Sequence, residues 1–135
     1  MAVKAIAKGV HMSPRKVGVV AGLVRGRSVA DALVILHHTP RRAALAVRDV
    51  VKSAAANAEH NHNYKPDTLK IVEIMVTCGP RIKRYRPAAH GRALPFQRKT
   101  SHIRVLVDGE LRRKKNEESG SKIEDEKKTA KKEGK

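Results

Sequence analysis

The chain has 135 residues, enough for one domain with a modest core, since 40% of its residues are hydrophobic. Lys and Arg number 30 against 13 Asp and Glu, which gives a formal net charge of +17. So many like charges repel one another in a compact fold. The usual partner is a polyanion, whose counterions are released when the protein binds. Two tyrosines and one phenylalanine are too few for an aromatic platform that stacks several bases, so binding should be mainly electrostatic.

The single cysteine, Cys78, excludes an internal disulfide and leaves no thiolate cluster for zinc or iron–sulfur chemistry. The first ten residues lack the apolar centre of a secretory signal, and no apolar run approaches the roughly 18 residues of a spanning helix. These features predict a cytoplasmic protein with no cleaved leader and no membrane partner.

The chain opens with a predicted strand over about Val3–Val10. Ser13 then provides a hydroxyl that can cap a helix, and Pro14 fits the first helical position, where its missing N–H is harmless. This first helix should end near Gly26. Its buried stripe is predicted to consist of Val17, Val20, Ala21 and Val24.

Two further helices follow. Ser28 and Asp31 have the spacing of a capping box, with Asp in place of Glu, and predict a second helix that stops by Thr39. Thr39 and Pro40 repeat the cap-and-proline pattern and predict the start of the third and longest helix. Its apolar stripe comprises Ala43, Ala44, Val47, Val50, Val51, Ala54, Ala55 and Ala58.

Two strands are predicted after a polar loop over residues 61–67. Alternation places Ile103, Val105 and Val107 on one side of the later strand. In the earlier strand it places Val72, Ile74, Val76 and Cys78 on one side, which predicts a buried and inert Cys78 thiol.

The element order predicts an α+β fold with a three-stranded antiparallel sheet packed with three helices, a long extended β-hairpin and a disordered C-terminal tail. The globular domain is predicted to cover residues 1–109. Residues 110–135 are rich in Lys, Glu and Ser, with Leu111 and Ile123 as their only large apolar side chains. Such a composition cannot offset the entropy of ordering.

No acidic residue lies between Glu73 and Asp108, a stretch that contains eight Lys and Arg. We interpret it as a hairpin arm with legs over about 80–87 and 92–100, which would project about 25 Å at roughly 3.3 Å per residue. Its prolines stiffen the chain, and Gly91 supplies the permissive backbone that a tip requires. A solvated, flexible basic loop is the alternative.

A second group of polar residues lies at the start of the first helix: Lys8, His11, Ser13, Arg15 and Lys16. Backbone N–H groups, the positive end of the helix dipole and the cations together suit a phosphate. Alternatively, the hydroxyl only caps the helix and the cations are only solvated. A polyanion surface shared with the arm would account for both groups.

The sequence offers little for catalysis or metal binding. His60 and His62 lie beside Glu59 without a third ligand at suitable spacing, so no metal site is predicted. The acidic residues of the folded part are scattered, and no Gly-rich phosphate loop or nucleophile motif is present. We therefore expect no catalytic residue, no cofactor, no small-molecule substrate and no enzymatic activity.

Five motifs occur in order along the chain: SPRKV at 13–17, RGRSVADAL at 25–33, SAAANAEHN at 53–61, GP at 79–80 and RKTSHI at 98–103. On these motifs the chain resembles the family of bacterial ribosomal protein twenty-two of the large subunit, over about residues 5–107. The resemblance implies a structural constituent of the large ribosomal subunit that binds 23S rRNA, contacts other large-subunit proteins and supports assembly. A free-standing basic RNA-binding protein or RNA chaperone is the alternative.

The resemblance also implies that the hairpin lines the polypeptide exit tunnel, where the nascent polypeptide passes and macrolide antibiotics bind near the tip. The implied tunnel-facing residues are Ile82, Lys83, Arg84, His90, Gly91, Arg92 and Ala93. This sequence departs from the family pattern at the tip, because Ala88 replaces one cation and His90 replaces another.

Recognition of RNA is predicted to rely on its shape and backbone, because the candidate side chains are phosphate binders. The predicted RNA-binding residues are Lys8, His11, Ser13, Arg15, Lys16, Arg25, Arg27, Arg81, Lys83, Arg84, Arg86, Arg92, Arg98 and Lys99.

Overall fold

The computed structural model describes residues 2–112. In this range the chain forms three antiparallel strands in the order β1-β3-β2. The first and third helices pack against the sheet and the second packs mainly against the third, so the predicted α+β fold is confirmed. The disordered tail is predicted over residues 110–135, of which 113–135 lie outside the described part; for residues 110–112 the prediction is wrong, because backbone pairing joins them to the body. The elements are β1 (Val3–Val10), α1 (Pro14–Val24), α2 (Val29–His38), α3 (Arg42–His62), β2 (Lys70–Pro87) and β3 (Ala93–Asp108).

The core lies between the helices and the inner face of the sheet. Ile103, Val105 and Val107 of β3 are fully buried, as their alternation predicts. The predicted stripe of α1 is buried throughout, and that of α3 is buried except at Ala55, which is half-buried. Small alanines on α3 let the helix lie close to the sheet, so the core is formed by many modest side chains.

A β-bulge in β2 makes the predicted face wrong at Val72, whereas Ile74 and Val76 face the core as predicted. Ile71 lies opposite Val107 and Glu73 lies opposite Leu106, so Val72 is an extra residue on the β2 side. The bulge reverses the alternation, and Ile71 is buried while Val72 is 55% exposed. Composition alone could not identify the position of the inserted residue.

The predicted burial of Cys78 is also wrong. Cys78 lies opposite Ser101, which is fully buried on the inner side of the sheet, yet Cys78 itself is exposed. Its position is at the first turn of α1, where the helical layer ends and β2 forms the edge of the sheet. The alternation gave the correct face, but no layer of helix covers that face here.

One predicted helix cap, Ser28, is confirmed and another, Ser13, is wrong. Ser28 caps α2 as predicted: its hydroxyl accepts a hydrogen bond from the Asp31 N–H at 3.1 Å and donates to the Asp31 carboxylate at 2.7 Å. Ser13 occupies the N-cap position of α1, but within the described residues its side chain makes no cap hydrogen bond. Its carbonyl accepts from the N–H of Lys16 instead.

The predicted start of α3 at Thr39 and Pro40 is wrong. Thr39 ends α2, because its hydroxyl donates to the carbonyl of Ile35 at 2.7 Å. Arg41 is the N-cap of α3, which begins at Arg42. The N-cap of α3 is therefore two residues later than the cap-and-proline pattern predicts.

The chain continues in contact with the body beyond β3. The Lys65 N–H donates to the Glu110 carbonyl, and the Arg112 N–H donates to the Asn63 carbonyl. Between these bonds lies Tyr64, which is only 3% exposed. Burial raises the pKa of the Tyr64 phenol above its ordinary value, and the charge of Asp108 and a hydrogen bond with its carboxylate act in the same direction.

The arm begins where β1 stops. β1 pairs with β3 only as far as Ser101, whereas β2 and β3 remain paired from Arg81 opposite Lys99 to Pro87 opposite Ala93. This two-stranded part is about 20 Å long at roughly 3.3 Å per residue. At its tip His90 and Gly91 both adopt positive φ, +60° and +68°.

A tight contact joins the arm to the body. The Thr100 hydroxyl donates to the Pro80 carbonyl at 2.6 Å, beside a register shift between Cys78 and Arg81. A Cβ atom at Gly79 would lie 2.5 Å from the same hydroxyl oxygen. Gly79 is therefore required because the two strands approach too closely for a side chain.

Replacing Ser28 with Ala should lower the free energy of unfolding by about 1 kcal/mol, because the N–H of Asp31 loses its capping oxygen. Ser13→Ala is the matched control and should change it by less than about 0.5 kcal/mol, since that hydroxyl does not cap. Urea denaturation followed by circular dichroism measures both. Equal losses would contradict the assigned caps.

Replacing Gly79 with Ala should cost about 1–3 kcal/mol, because the added methyl group overlaps the Thr100 side chain. Gly22→Ala is the control: no described atom would lie within 4 Å of its Cβ, so it should stabilise α1 by about 0.5–1 kcal/mol. Opposite signs in chemical denaturation are expected, and a neutral Gly79 variant would refute the close approach.

Candidate RNA interface

A groove of about 840 Å³ opens where the starts of α1 and α3 meet the base of the arm. We call it the basic groove. Five of its side chains are Lys or Arg and none is acidic, so its potential is strongly positive. It is lined by His11, Met12, Ser13, Lys16, Arg41, Arg42, Ala43, Gln97, Arg98 and Lys99.

Two helix N-termini meet at the basic groove. Neither Ser13 at the start of α1 nor Arg41 at the start of α3 caps its helix with a side chain, within the part of the chain described. Neither first turn contains an acidic residue. The positive dipole ends of both helices therefore face the groove and add to its side-chain cations. Some of the first-turn N–H groups are already used, because those of Lys16 and Ala44 donate to the carbonyls of Ser13 and Arg41.

The positive surface continues from the groove onto the arm. A second hollow of about 230 Å³ adjoins the start of α1, and Ser13 and Lys99 line both hollows. Arg15 and Arg81 also line the second one. The predicted helix-start group and the predicted arm are thus adjacent parts of one surface.

Three predicted RNA-binding residues lie away from this surface. Arg25 donates from Nη2 to the carbonyl of Ile74 at 2.9 Å, and Arg27 donates from Nε to the carbonyl of Leu23 at 2.9 Å. Both follow the last turn of α1, about 15 Å from its start at 1.5 Å per residue. Lys8 is exposed on β1, outside both hollows.

Sequence reasoning missed two cations of the groove, Arg41 and Arg42. They were assigned to the first turn of a helix capped by Thr39, where cations are unfavourable next to the helix dipole. The sequence does contain a signal that could have identified them: two adjacent arginines at a helix start, without any acidic residue, favour an anionic partner.

The arm has two faces of different composition. Directly opposed residues of an antiparallel pair share a face, and alternate residues along a strand lie on opposite faces. We name the faces after their aromatic residues. The Phe96 face contains Ile82, Arg84, Arg86, Leu94, Phe96 and Arg98, and the Tyr85 face contains Arg81, Lys83, Tyr85, Pro87, Ala93, Pro95, Gln97 and Lys99.

This division separates neighbours that the resemblance treats as one unit. Lys83 lies on the Tyr85 face, whereas Ile82 and Arg84 lie on the Phe96 face. His90, Gly91 and Arg92 are exposed at or beside the turn that joins the legs. The cations predicted along the arm are all exposed.

Among residues 2–112, no acidic residue lines the groove or lies on the arm. The ion pairs Arg48–Asp49 and Lys65–Glu110 lie elsewhere on the body. On the arm Arg81 lies directly opposite Lys99, and like charges in that position repel each other. This surface needs an anionic partner to relieve the repulsion.

Two other features are absent from residues 2–112. No helix in that range is long and apolar enough to cross a membrane. Groups of three or more His, Cys, Asp or Glu side chains that could hold a metal ion are likewise absent from it.

The fold and this surface define a class of protein: a small, strongly basic α+β domain that carries a two-stranded cationic arm. The family model described as ribosomal protein L22p/L17e matches residues 5–108. The chain therefore belongs to this ribosomal protein family, as its motifs predicted.

Curated relatives agree with this assignment. The chain is similar to proteins named large ribosomal subunit protein uL22 from Clostridium tetani, Desulforamulus reducens and Oceanobacillus iheyensis, with identities of 51%, 52% and 50% over 107 residues. Each match covers 79% of this chain and 95% or 96% of the relative. The protein is thus a structural, non-enzymatic constituent of the large ribosomal subunit, which is cytoplasmic in bacteria.

A cation in the basic groove should contribute more to RNA binding than a cation elsewhere on the surface. Lys16→Ala should weaken binding of a single-stranded RNA of about 20 nucleotides about threefold and lower the slope of log K against log salt by about 0.7. Lys52→Ala removes the same charge from the exposed side of α3 and is the matched control. Fluorescence anisotropy at several salt concentrations measures both, and equal effects would contradict a site in the groove.

Proposed function

We propose that this protein binds 23S rRNA through the basic groove and the arm, supports assembly of the large subunit, and lines the polypeptide exit tunnel with the tip of its arm. The observation that carries the proposal is the continuous positive surface formed by two helix N-termini, the groove cations and the arm. We assign this activity to the domain over residues 1–109, with residues 110–135 as a charged tail whose first three residues pair with the body.

The chemistry of the surface favours phosphate over base edges. Lysine and arginine side chains and helix N-termini are the groups that contact nucleic-acid backbones, and they fix orientation rather than read sequence. The deep groove of A-form RNA is too narrow for side chains to read. Folded rRNA therefore supplies what this surface requires, namely closely spaced phosphates in a fixed three-dimensional arrangement.

The composition of the arm favours a partner that surrounds it. An isolated two-stranded ribbon is marginally stable in water, and this one carries like charges on both faces. Phosphates on both sides would neutralise the repulsion and restrict the ribbon to one conformation. An arm enclosed by RNA is the arrangement in which a ribbon of this composition is most stable.

The tip has the properties of a lining rather than an anchor. Ala88, Ala89, Gly91 and Ala93 carry little bulk, and Arg92 is the only permanent cation in that turn. Such a tip can approach a narrow passage without filling it. The nascent polypeptide, macrolide antibiotics and neighbouring large-subunit proteins are the partners that follow from a tunnel position.

A shortened arm tests the tunnel role separately from assembly. Arg84 and Phe96 lie opposite each other, so replacing residues 85–95 with Asn-Gly should close a shorter hairpin with a two-residue turn. We expect the variant to enter large subunits at the level of the unaltered protein, because the basic groove is retained. Sucrose-gradient sedimentation followed by immunoblotting measures its incorporation.

The same particles test the tip. A photoreactive nascent chain arrested on the ribosome should cross-link to the unaltered protein and lose that cross-link with the shortened arm. Absence of a cross-link to the unaltered protein would refute the tunnel position. Failure of the shortened variant to assemble would refute a tip role confined to the tunnel.

A further inference from the structure

The Phe96 face of the arm combines arginines with apolar side chains in an arrangement that the Tyr85 face lacks. Its three opposed pairs are Ile82 with Arg98, Arg84 with Phe96, and Arg86 with Leu94. Every pair on this face thus contains one guanidinium and one large apolar side chain. On the Tyr85 face the distal pairs, Tyr85 with Pro95 and Pro87 with Ala93, are uncharged.

The centre of the Phe96 face is a guanidinium over an aromatic ring. Cζ of Arg86 lies 4.9 Å from the centroid of the Phe96 ring, within the range of a cation–π contact. Phe96 remains half-buried although the ribbon has no covering layer, while the adjacent Leu94 is 58% exposed. The Arg86 guanidinium, the Phe96 ring and Leu94 therefore form a partly apolar surface between cations.

The chemistry of this surface fits a nucleotide better than a protein side chain. A protein partner for three guanidinium groups would have to supply carboxylates, whereas a nucleotide supplies a planar base and a phosphate together. Bases stack on aromatic rings and on guanidinium planes, and this contact tolerates any base because each has a π face. One ring is too little for a platform of several bases but is enough for one.

We propose that the Phe96 face binds one unstacked RNA base against the Arg86–Phe96 pair, with Arg84 and Arg98 on the flanking phosphates. This inference rests on the proposed RNA binding and adds a contact to a base. The arm would then hold RNA in two ways, by charge along its length and by stacking at one position. The uncharged distal part of the Tyr85 face would remain directed away from that nucleotide.

Stacking and charge can be separated with two probes. The first is a single-stranded RNA of about twelve adenosines, and the second is a ribose-phosphate strand of the same length without bases. Phe96→Ala in the full-length protein should weaken binding of the first about fivefold or more and leave binding of the second unchanged. The salt dependence of binding should stay the same, because no charge is removed.

Two further variants complete the test. Arg86→Lys retains the charge but loses the planar group, so it should also weaken binding only of the base-bearing strand. Lys99→Met is the control on the opposite face and should weaken binding of both strands and lower the salt slope by about 0.7. Circular dichroism of each variant verifies that the body is folded, and Phe96 lies outside the core.

The outcomes distinguish this inference from the proposed function. If the unaltered protein binds neither strand, RNA binding itself is refuted. If it binds both strands and Phe96→Ala and Arg86→Lys have no selective effect on the base-bearing strand, the stacked base is refuted while RNA binding stands. A selective loss with both variants supports the stacked base.

Discussion

The pairing of β2 with β3 is the constraint on which the rest of the structure depends. One antiparallel ladder extends from Lys70 opposite Asp108, in the body, to Pro87 opposite Ala93, near the tip, with register shifts at Val72 and between Cys78 and Arg81. Burial of Ile103, Val105 and Val107 fixes its inner end, at about 1.5–3 kcal/mol for each side chain. Repulsion between exposed like charges costs less than about 1 kcal/mol a pair, so the body can hold a ribbon that would not persist alone.

Periodicity predicted those features of the fold that depend on one segment at a time. The stripes of α1 and α3 and the inner face of β3 follow from regular spacing, and the structure has them as predicted. The errors arose where tertiary contacts override a local pattern. The bulge at Val72 follows from pairing with β3, and Cys78 is exposed because the helical layer ends there, which no residue near it in sequence reveals.

The candidate site was predictable in its parts but not in its assembly. Charge and motif identified the cations of the arm and of the α1 start. The basic groove also requires the start of α3, which is more than twenty residues from the α1 start and more than fifty from the part of the arm that lines the groove. Arg41 and Arg42 enter the site because α3 packs across β1 and β3, a relation set by the core and not by the charged residues themselves.

The two-faced register of the arm has a consequence for how its length can change. Side chains alternate with a period of two, so an insertion or deletion of one residue in a single leg would turn every side chain beyond it to the opposite face. Such a change before Lys83 would move Arg84 and Arg86 from the Phe96 face to the opposite face, and would move Lys83 and Tyr85 onto the Phe96 face. Viable length variants of this arm should therefore change both legs together, or one leg by an even number of residues.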